Sequence, residues 1–517
     1  MRKPIYKPYN QDQGMLPFTY DHLIPSNHIV RTVNELIEGM DTSKIDETYS
    51  HLGAHSYDPK MMTKIIIYAY TQKIYSSRQI AKAVRENINF IWLAGGNQPD
   101  FRTINRFRTE KMQEHIEKVF YEVIKILIDK KYVKYENYFV DGTKIESTAN
   151  KYTFVWEKSR DYYERRLKKN VRQMLTEIQK ETALENKQYG DHDLEEVGED
   201  AEPLTTEEIK EIARQIDEEV KKNPTNRTLT KAQKKMNEDY LPRLEKYEEQ
   251  KEILEGRNSY SKTDPDATFF HMKDDHMRNG QLKPGYNVQI GTENQFVLHY
   301  SLHQAANDQN LLEAHIQGFR DRHGKYPETV IADSGYGNLE NYIFLEKQKI
   351  TGYVKYPWFH REQKKCFKNR IYDFQNWEYV KAEDKFICPQ GHDVVVLKDS
   401  FERTKTGFLN KLRVYQCTGC ANCSVRKDCC KGKGNRTLYV NWEWEHQKTA
   451  ARELLLSAKG IKLRGLRCAE VENVFGQIKW NYSFNRFHLR GLKKVSLEWG
   501  LVCLAHNLRH LNVLCCG

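Results

Sequence analysis

Three acids far apart in the chain stand in or at the end of apolar runs. They are Asp141 in Tyr138-Phe139-Val140-Asp141-Gly142, Asp333 in Val330-Ile331-Ala332-Asp333-Ser334, and Glu472 in Glu470-Val471-Glu472-Asn473-Val474-Phe475. Hard cations such as Mg2+ or Mn2+ prefer carboxylate oxygens. Two such ions about 4 Å apart activate an attacking oxygen and stabilise a leaving one in phosphoryl transfer. The pattern predicts that Asp141, Asp333 and Glu472 meet as metal ligands, with Asp141 shared between two ions. A single strand-end Asp more often caps a turn, so the reading rests on three acids in separate elements. Glu146, Asp308 and Glu470 are the rival acids. Glu470 and Glu472 lie about 200° apart on a helix, so only one faces a cleft. Glu472 shares a face with Phe475 and Lys479, and it is the expected ligand.

A second chemistry lies in the cysteines, of which there are 11. Cys388-Pro389-x-Gly391 is followed by Cys417-x2-Cys420-x2-Cys423-x5-Cys429-Cys430. Cys-x2-Cys steps let two thiolates reach one tetrahedral Zn2+. An odd number of cysteines with no secretory leader argues against a disulfide framework. Four of Cys388, Cys417, Cys420, Cys423 and Cys429 are expected to hold a structural Zn2+, with His392 a further donor. Free thiols are the alternative.

Two stretches offer cations to a polyanion. Lys479 to Lys494 interleaves basic and aromatic residues, and Lys479, Arg486 and Arg490 are the expected DNA contacts. The competing reading makes Trp480, Phe484 and Phe487 core. Upstream, two helices joined by Gly95-Gly96 carry Arg102, Arg106 and Arg108, in the manner of a helix-turn-helix DNA binder. A helical bundle with a charged face is the alternative there.

The elements that must position these groups follow from the rest of the chain. Its 517 residues carry a net charge of +11, which fits a polyanion partner without identifying one. No apolar run reaches the roughly 18 residues of a membrane span, and Met1-Arg2-Lys3-Pro4-Ile5 opens no leader, so a cytoplasmic location is expected. Residues 1–130 read as a helical, DNA-binding N-terminal domain, with a cap-like break at Asp41-Thr42-Ser43. Residues 131–150, 263–355 and 456–517 alternate strands and helices. Residues 151–262 are charged, with narrow apolar seams (Leu167, Val171, Met174 and Ile178; Ile209, Ile212, Ile216 and Val220) that predict a helical hairpin or coiled-coil arm. Within them Thr205 to Glu208 has capping-box form, and Gln188 to Pro203 is an acidic connection. Residues 356–455 form the cysteine-rich insertion.

Without the insertions the order is strand, strand, strand, helix, strand, helix, strand, helix, which is similar to the ribonuclease-H-like fold. The motifs Val140-Asp141-Gly142-Thr143-Lys144-Ile145-Glu146, Tyr152-Thr153-Phe154-Val155-Trp156, Thr263-Asp264-Pro265-Asp266-Ala267, Ala332-Asp333-Ser334-Gly335-Tyr336 and Val471-Glu472-x-x-Phe475-Gly476-x-x-Lys479 resemble bacterial insertion-sequence transposases of the DDE class, in the group named after insertion sequence 1182. The resemblance implies an α/β, ribonuclease-H-like catalytic core with a helical N-terminal domain, a helical insertion and a cysteine-rich zinc-binding insertion. It implies Asp141, Asp333 and Glu472 as the catalytic triad with Mg2+ or Mn2+. The expected activity is cleavage at element ends and strand transfer into target DNA, by a homodimer or larger assembly on double-stranded DNA in the nucleoid. Related transposases carry a Tyr, Arg, Glu and Lys signature on the last helix. Glu472 and Lys479 fit it, Arg467 is the candidate Arg, and Arg464 stands where the Tyr is expected. The alternatives are a ribonuclease-H-like nuclease without strand transfer and a non-catalytic zinc-containing DNA-binding protein.

Overall fold

The computed structural model describes residues 7, 20–40, 56–113, 115–189, 204–272, 280–404 and 406–516. The expected break at Asp41-Thr42-Ser43, and the acidic connection beyond Tyr189, lie outside these residues. The strands are, in chain order, β1 (Asn137–Glu146), β2 (Phe154–Trp156), β3 (Ser259–Ser261), β4 (Thr268–His271), β5 (Leu282–Glu293), β6 (Phe296–His303), β7 (Thr329–Ala332), β8 (Thr351–Val354), β9 (Glu378–Val380), β10 (Lys385–Ile387), β11 (Asp393–Arg403), β12 (Leu409–Cys417) and β13 (Thr437–Val440). The chain divides into two compact units. One comprises residues up to Thr143, Asn287–His488 and from Lys493 onward; the other comprises Lys144–Tyr286 and Leu489–Leu492.

In the first unit, short helices precede β1. Helix Pro59–Thr71 starts at Asp58, whose carboxylate accepts from the Met61 N–H, with Pro59 in the first helical position. Helix Ile88–Ala94 ends at Gly95, whose φ of 55° only a glycine adopts without strain. Asp100 then caps helix Phe101–Arg106.

The sheet of this unit runs β6-β5-β1-β7-β8, with β1 at its centre. β5 and β6 are antiparallel, joined through Asn294 and Gln295 in left-handed conformations. β1, β7 and β8 are parallel. Parallel strands covered on both faces read as continuous apolar runs, and Tyr138, Phe139, Val140, Val330, Ile331 and Ala332 are all buried. The carboxylate of Glu293 fixes where β1 begins, accepting from the backbone N–H groups of Lys134, Tyr135, Glu136 and Asn137. Helices Leu312–His323 and Leu339–Lys347 connect β6 to β7 and β7 to β8. β1 does not stop at its acid, as the apolar run implied, but continues to Glu146. A second, antiparallel sheet of order β13-β12-β11-β10-β9 carries the cysteine-rich residues.

The second unit holds the charged helices. Thr205 and Glu208 form the expected capping box. The apolar seams pack on one another, as in the helical hairpin that their spacing predicts. Leu167, Val171 and Met174 share a core with Ile209, Ala213 and Ile216 and with Leu229, Met236, Tyr240 and Leu244. A seam buried within its own chain is not available to a second copy. Elsewhere in this unit the buried Asp264 accepts from Ser147 Oγ (2.6 Å), Tyr286 OH (2.9 Å) and the Gly491 N–H (3.1 Å). Asp266 accepts from the Leu492 N–H at the start of the last helix.

Candidate active site

The β1/β7 register pairs Asn137 with Thr329, Tyr138 with Val330 and Phe139 with Ile331. Extended by two residues, it sets Asp141 opposite Asp333, on strands about 4.8 Å apart. Asp141 is largely buried, whereas Asp333 is more than a third exposed. Asp333 ends β7 and accepts from the Gly335 N–H at 2.8 Å, which turns the chain away from the sheet. The residue after Asp141 is a glycine, and any side chain there would have to displace the Gln289 amide. A Cβ on Gly142 would lie 2.1 Å from the Gln289 amide nitrogen.

Glu472 arrives on a helical rod whose regular turns, Ala458–Leu466 and Asn473–Gly476, are separated by a wide turn over Cys468–Glu472. The Glu472 N–H bonds back five residues, to the Arg467 carbonyl. In an ideal α-helix residues five apart diverge by about 140°. The wide turn, of a kind frequent at functional sites, instead brings Arg467 and Glu472 to one face.

Arg467 is the residue on which the acids converge. Its Nη2 lies 3.0 Å from Asp141 Oδ1 and 3.9 Å from Asp333 Oδ2, and its Nη1 lies 3.0 Å from Glu472 Oε1. The guanidinium is buried, and its Nε has no hydrogen-bond partner. The sequence marks Arg467 as the candidate Arg of a signature, and the structure sets it among the acids. The usable signal was its five-residue spacing from Glu472, which an ideal helix would have made meaningless.

Of the rival acids, Glu470 and Glu146 are engaged elsewhere, whereas Asp308 lies close to Asp333, both being within 4.0 Å of a Cβ placed on Gly335. Glu470 accepts from the Gln295 N–H at 2.7 Å, and burial pushes its pKa up. Glu146 pairs with Lys283 at 3.2 Å in the second unit. Asp308 accepts from the side-chain amides of Asn287 (2.7 Å) and Gln289 (3.0 Å).

Among the described residues, no three His, Cys, Asp or Glu side chains stand close enough together to enclose a metal ion. At the acids, the Arg467 guanidinium takes the central position, a cation among three carboxylates. That donor set, oxygen only and partly open to water, fits a hard divalent ion. The cysteines are divided. Cys388, Cys417 and Cys420 share a buried cluster with Trp377, Phe386 and Tyr415. Burial pushes the Cys417 thiol up to about 12, and neighbouring Cys420 and Cys388 add to the shift. Cys429 packs at the edge of this cluster, its sulfur 3.0 Å from Arg436 Nη1. Cys423 is outside it.

The predicted DNA contacts also divide. Arg102, Arg106 and Arg486 are exposed, and Lys479 is half-buried. Arg490 is exposed but donates to Thr148 Oγ1 and to the Thr148 carbonyl. Arg108 does not belong with the others. It is buried, and it donates to Tyr75 O (2.7 Å), Tyr70 OH (3.1 Å) and Asn105 Oδ1 (3.0 Å). Trp480 is exposed while Phe484 and Phe487 are buried, so the aromatics of that stretch are mostly core.

A basic residue next to the acids was not anticipated. The β7/β8 register pairs Ala332 with Val354, which sets Lys355 beside Asp333. Burial lowers the Lys355 pKa, Arg467 and Arg464 lower it further, and Asp333 and Glu472 oppose the shift.

Comparison with known families gives two matches. Residues 387–512 match a family described as a transposase DDE domain, and residues 18–110 match one described as a transposase domain (DUF772). The first match contains Glu472, Lys479 and the cysteine cluster; the second contains Arg102, Arg106 and Arg108. No curated protein and no solved structure matches the chain. These two stretches are what the chain shares with transposases, and each match spans less than half of its length.

Proposed function

We propose that this protein cuts DNA at the ends of an insertion sequence and joins the freed 3′ ends to target DNA, with Asp141, Asp333 and Glu472 as its catalytic acids. The observation that carries the proposal is the convergence of these acids, from two adjacent parallel strands and one helix, on a single guanidinium. The sheet order β6-β5-β1-β7-β8 is the order of a ribonuclease-H-like core, which supports the same reading.

Asp141, Asp333 and Glu472 would hold two Mg2+ or Mn2+ ions. Such ions supply activation of the attacking oxygen and charge stabilisation on the leaving oxygen. The chain's own residues prepare that site. β1 and β7 fix Asp141 and Asp333 at neighbouring positions, and the wide turn presents Glu472 from the side. Arg467 offsets their mutual repulsion before cations arrive. In the first reaction water attacks the phosphodiester and the strand's 3′-oxygen leaves as a hydroxyl. In the second, that hydroxyl attacks a target phosphodiester and displaces the target's 3′-oxygen. The test is a strand-transfer assay with the element's own end sequences and Mg2+. Joined product is expected; cutting without joining points to a nuclease, and binding without chemistry points to a non-catalytic DNA-binding protein.

Arg467 and the divalent ions compete for the same oxygens. Arg467→Ala therefore binds Mn2+ more tightly than the wild-type chain, by about tenfold, or roughly 1.4 kcal/mol. Titration calorimetry with an Asp141→Asn control reads this directly. Unchanged or weaker binding would show that the guanidinium and the ions do not share the site.

The buried thiols Cys388, Cys417 and Cys420, joined by Cys423 or Cys429, form the proposed structural Zn2+ site. The purified chain is then expected to carry about one zinc ion, and Cys417→Ser with Cys420→Ser to lose it. Elemental analysis decides the point, and a zinc-free wild-type protein would end this part of the proposal.

A further inference from the structure

Helix Glu157–Tyr189 of the second unit buries one side and shows another to solvent. Leu167, Val171 and Met174 form its buried seam. On the opposite side stand Lys158, Tyr162, Arg165, Arg166 and Lys169, all exposed. At 3.6 residues per turn these five fall within about 100° of the circumference, centred about 160° from the seam. The stripe they form runs for about 16 Å along the helix axis.

One sign of charge dominates this face. From Lys158 to Gln173 every exposed charged residue is basic. The acids of the same stretch are half-buried and paired within the unit. Asp161 pairs with the buried Arg160, and Glu164 pairs with Arg160 at 3.1 Å and with Lys168 at 2.9 Å. A solvated helix face ordinarily intersperses both signs. Helix Thr206–Lys222 of the same unit does so: exposed Glu207, Glu211 and Glu218 alternate with Lys210, Arg214 and Lys221, and Arg214 pairs with Glu211 at 3.4 Å. In helix Glu157–Tyr189 a buried arginine draws the acids away and leaves the outer face to cations.

The chemistry of the stripe selects its partner. Each strand of duplex DNA carries a phosphate about every 3.4 Å along the axis, so about 16 Å of protein helix spans roughly five of them. Lys and Arg pair with phosphates, and a Tyr hydroxyl donates to them. Tyr162 lies mid-stripe between Lys158 and Arg165, 58% exposed, with the Tyr163 ring edge-on to its own at 5.4 Å. A surface for single strands stacks successive bases on successive aromatic side chains. This stripe has one aromatic residue among four cations, which matches a duplex backbone instead.

We propose that this face of helix Glu157–Tyr189 docks the phosphate backbone of duplex DNA without regard to sequence, through Lys158, Tyr162, Arg165, Arg166 and Lys169. It is a contact in the second unit, additional to those expected at Arg102, Arg106, Lys479 and Arg486 in the first. The inference rests on the DNA-processing reading above.

The experiment uses the full-length protein in EDTA, where no chemistry occurs. The probe is a fluorescein-labelled duplex of arbitrary sequence, followed by anisotropy over a range of salt concentrations. Each cation that pairs a phosphate adds about 0.9 to the slope of log affinity against log salt. A variant carrying Lys158→Gln, Arg165→Gln, Arg166→Gln and Lys169→Gln is expected to bind at least about tenfold more weakly and to lose about 3 to 4 from that slope. Gln keeps a high helix propensity, and circular dichroism checks that the variant folds. Lys210→Gln with Arg214→Gln, on the mixed-sign face, should leave the slope unchanged. In the wild-type chain the duplex should shield Lys158 and Lys169 from acetylation, a readout that decides the point even if the variant misfolds. A wild-type slope in the fourfold variant, an equal loss in the control, or no shielding would overturn the proposal. So would shielding by polyglutamate and not by duplex, which points to an acidic protein partner, or a loss confined to a single-stranded oligonucleotide. Loss of slope in the variant, with no strand transfer by the wild type in Mg2+, would keep the docking face and overturn the transposase reading. Strand transfer by the wild type, with an unchanged slope in the variant, would do the reverse.

Discussion

Asp141→Asn is expected to reduce strand transfer by at least about 10³-fold while leaving DNA binding within a few-fold of wild type. Asn keeps the shape of the side chain and removes its charge. Asp141 is the least exposed of the three acids and sits on the central strand of the sheet. A carboxylate shared by two ions lowers the barrier by several kcal/mol, and each 1.36 kcal/mol is about tenfold in rate, so a loss of about 4 kcal/mol gives the stated factor. The fold tolerates the change, because Arg467 retains Glu472 at 3.0 Å. Asp141→Glu, which moves the carboxylate by one methylene, should fall between. Glu470→Gln and Glu146→Gln are the informative controls and stay within a few-fold, since those acids bond to Gln295 and Lys283. Quantified joined product decides the matter. Activity within tenfold of wild type in Asp141→Asn, or a collapse in Glu470→Gln, would show that the site is wrongly assigned.

Sequence carried the buried strands well because their burial on both faces leaves an uninterrupted apolar run, and a run that ends in Asp stands out. It was less informative wherever function depends on which elements are neighbours. Lys355 follows a strand in an unremarkable way, and its place beside Asp333 emerges only once β8 is seen beside β7. The seams around Leu167 and Ile209 announced helices that pack on one another, but not that Leu229, Met236, Tyr240 and Leu244 join the same core. Cysteine spacing signalled metal chemistry, yet it did not tell that Cys388, Cys417 and Cys420 are buried in one cluster while Cys423 is only half-buried. The departure that matters most is the wide turn at Cys468–Glu472. Reasoning from an ideal helix separates Glu470 from Glu472, because residues two apart make the same contrast in either geometry, and it is Glu472 that meets Arg467 while Glu470 accepts from Gln295. It could not place Arg467 with Glu472, because that alignment exists only where the helix is unwound.

Arg108 gives the second large effect, on stability rather than chemistry. Arg102 and Arg106 lie about 40° apart around a helix, but Arg106 and Arg108 lie about 200° apart, so the three cannot share a DNA-facing surface. Arg108 instead enters the helical core and holds Tyr70 and the Tyr75 carbonyl. Tyr70 OH in turn reaches the carboxylate of Glu498, which is fully buried and accepts from the His488 N–H. Arg108→Ala takes the cation out of this buried chain and strips three acceptors of their donor, at a cost of about 3–5 kcal/mol. A chain of two units has no single unfolding free energy, so the loss is read locally. Amide exchange in helices Pro59–Thr71 and Ser77–Glu86 should accelerate by about two to four orders of magnitude, the factor those energies imply. Arg102→Ala should leave the same amides unchanged and weaken DNA binding instead, with a shallower salt dependence. Wild-type exchange in Arg108→Ala would return Arg108 to the surface, and with it the three-arginine DNA face that the sequence first offered.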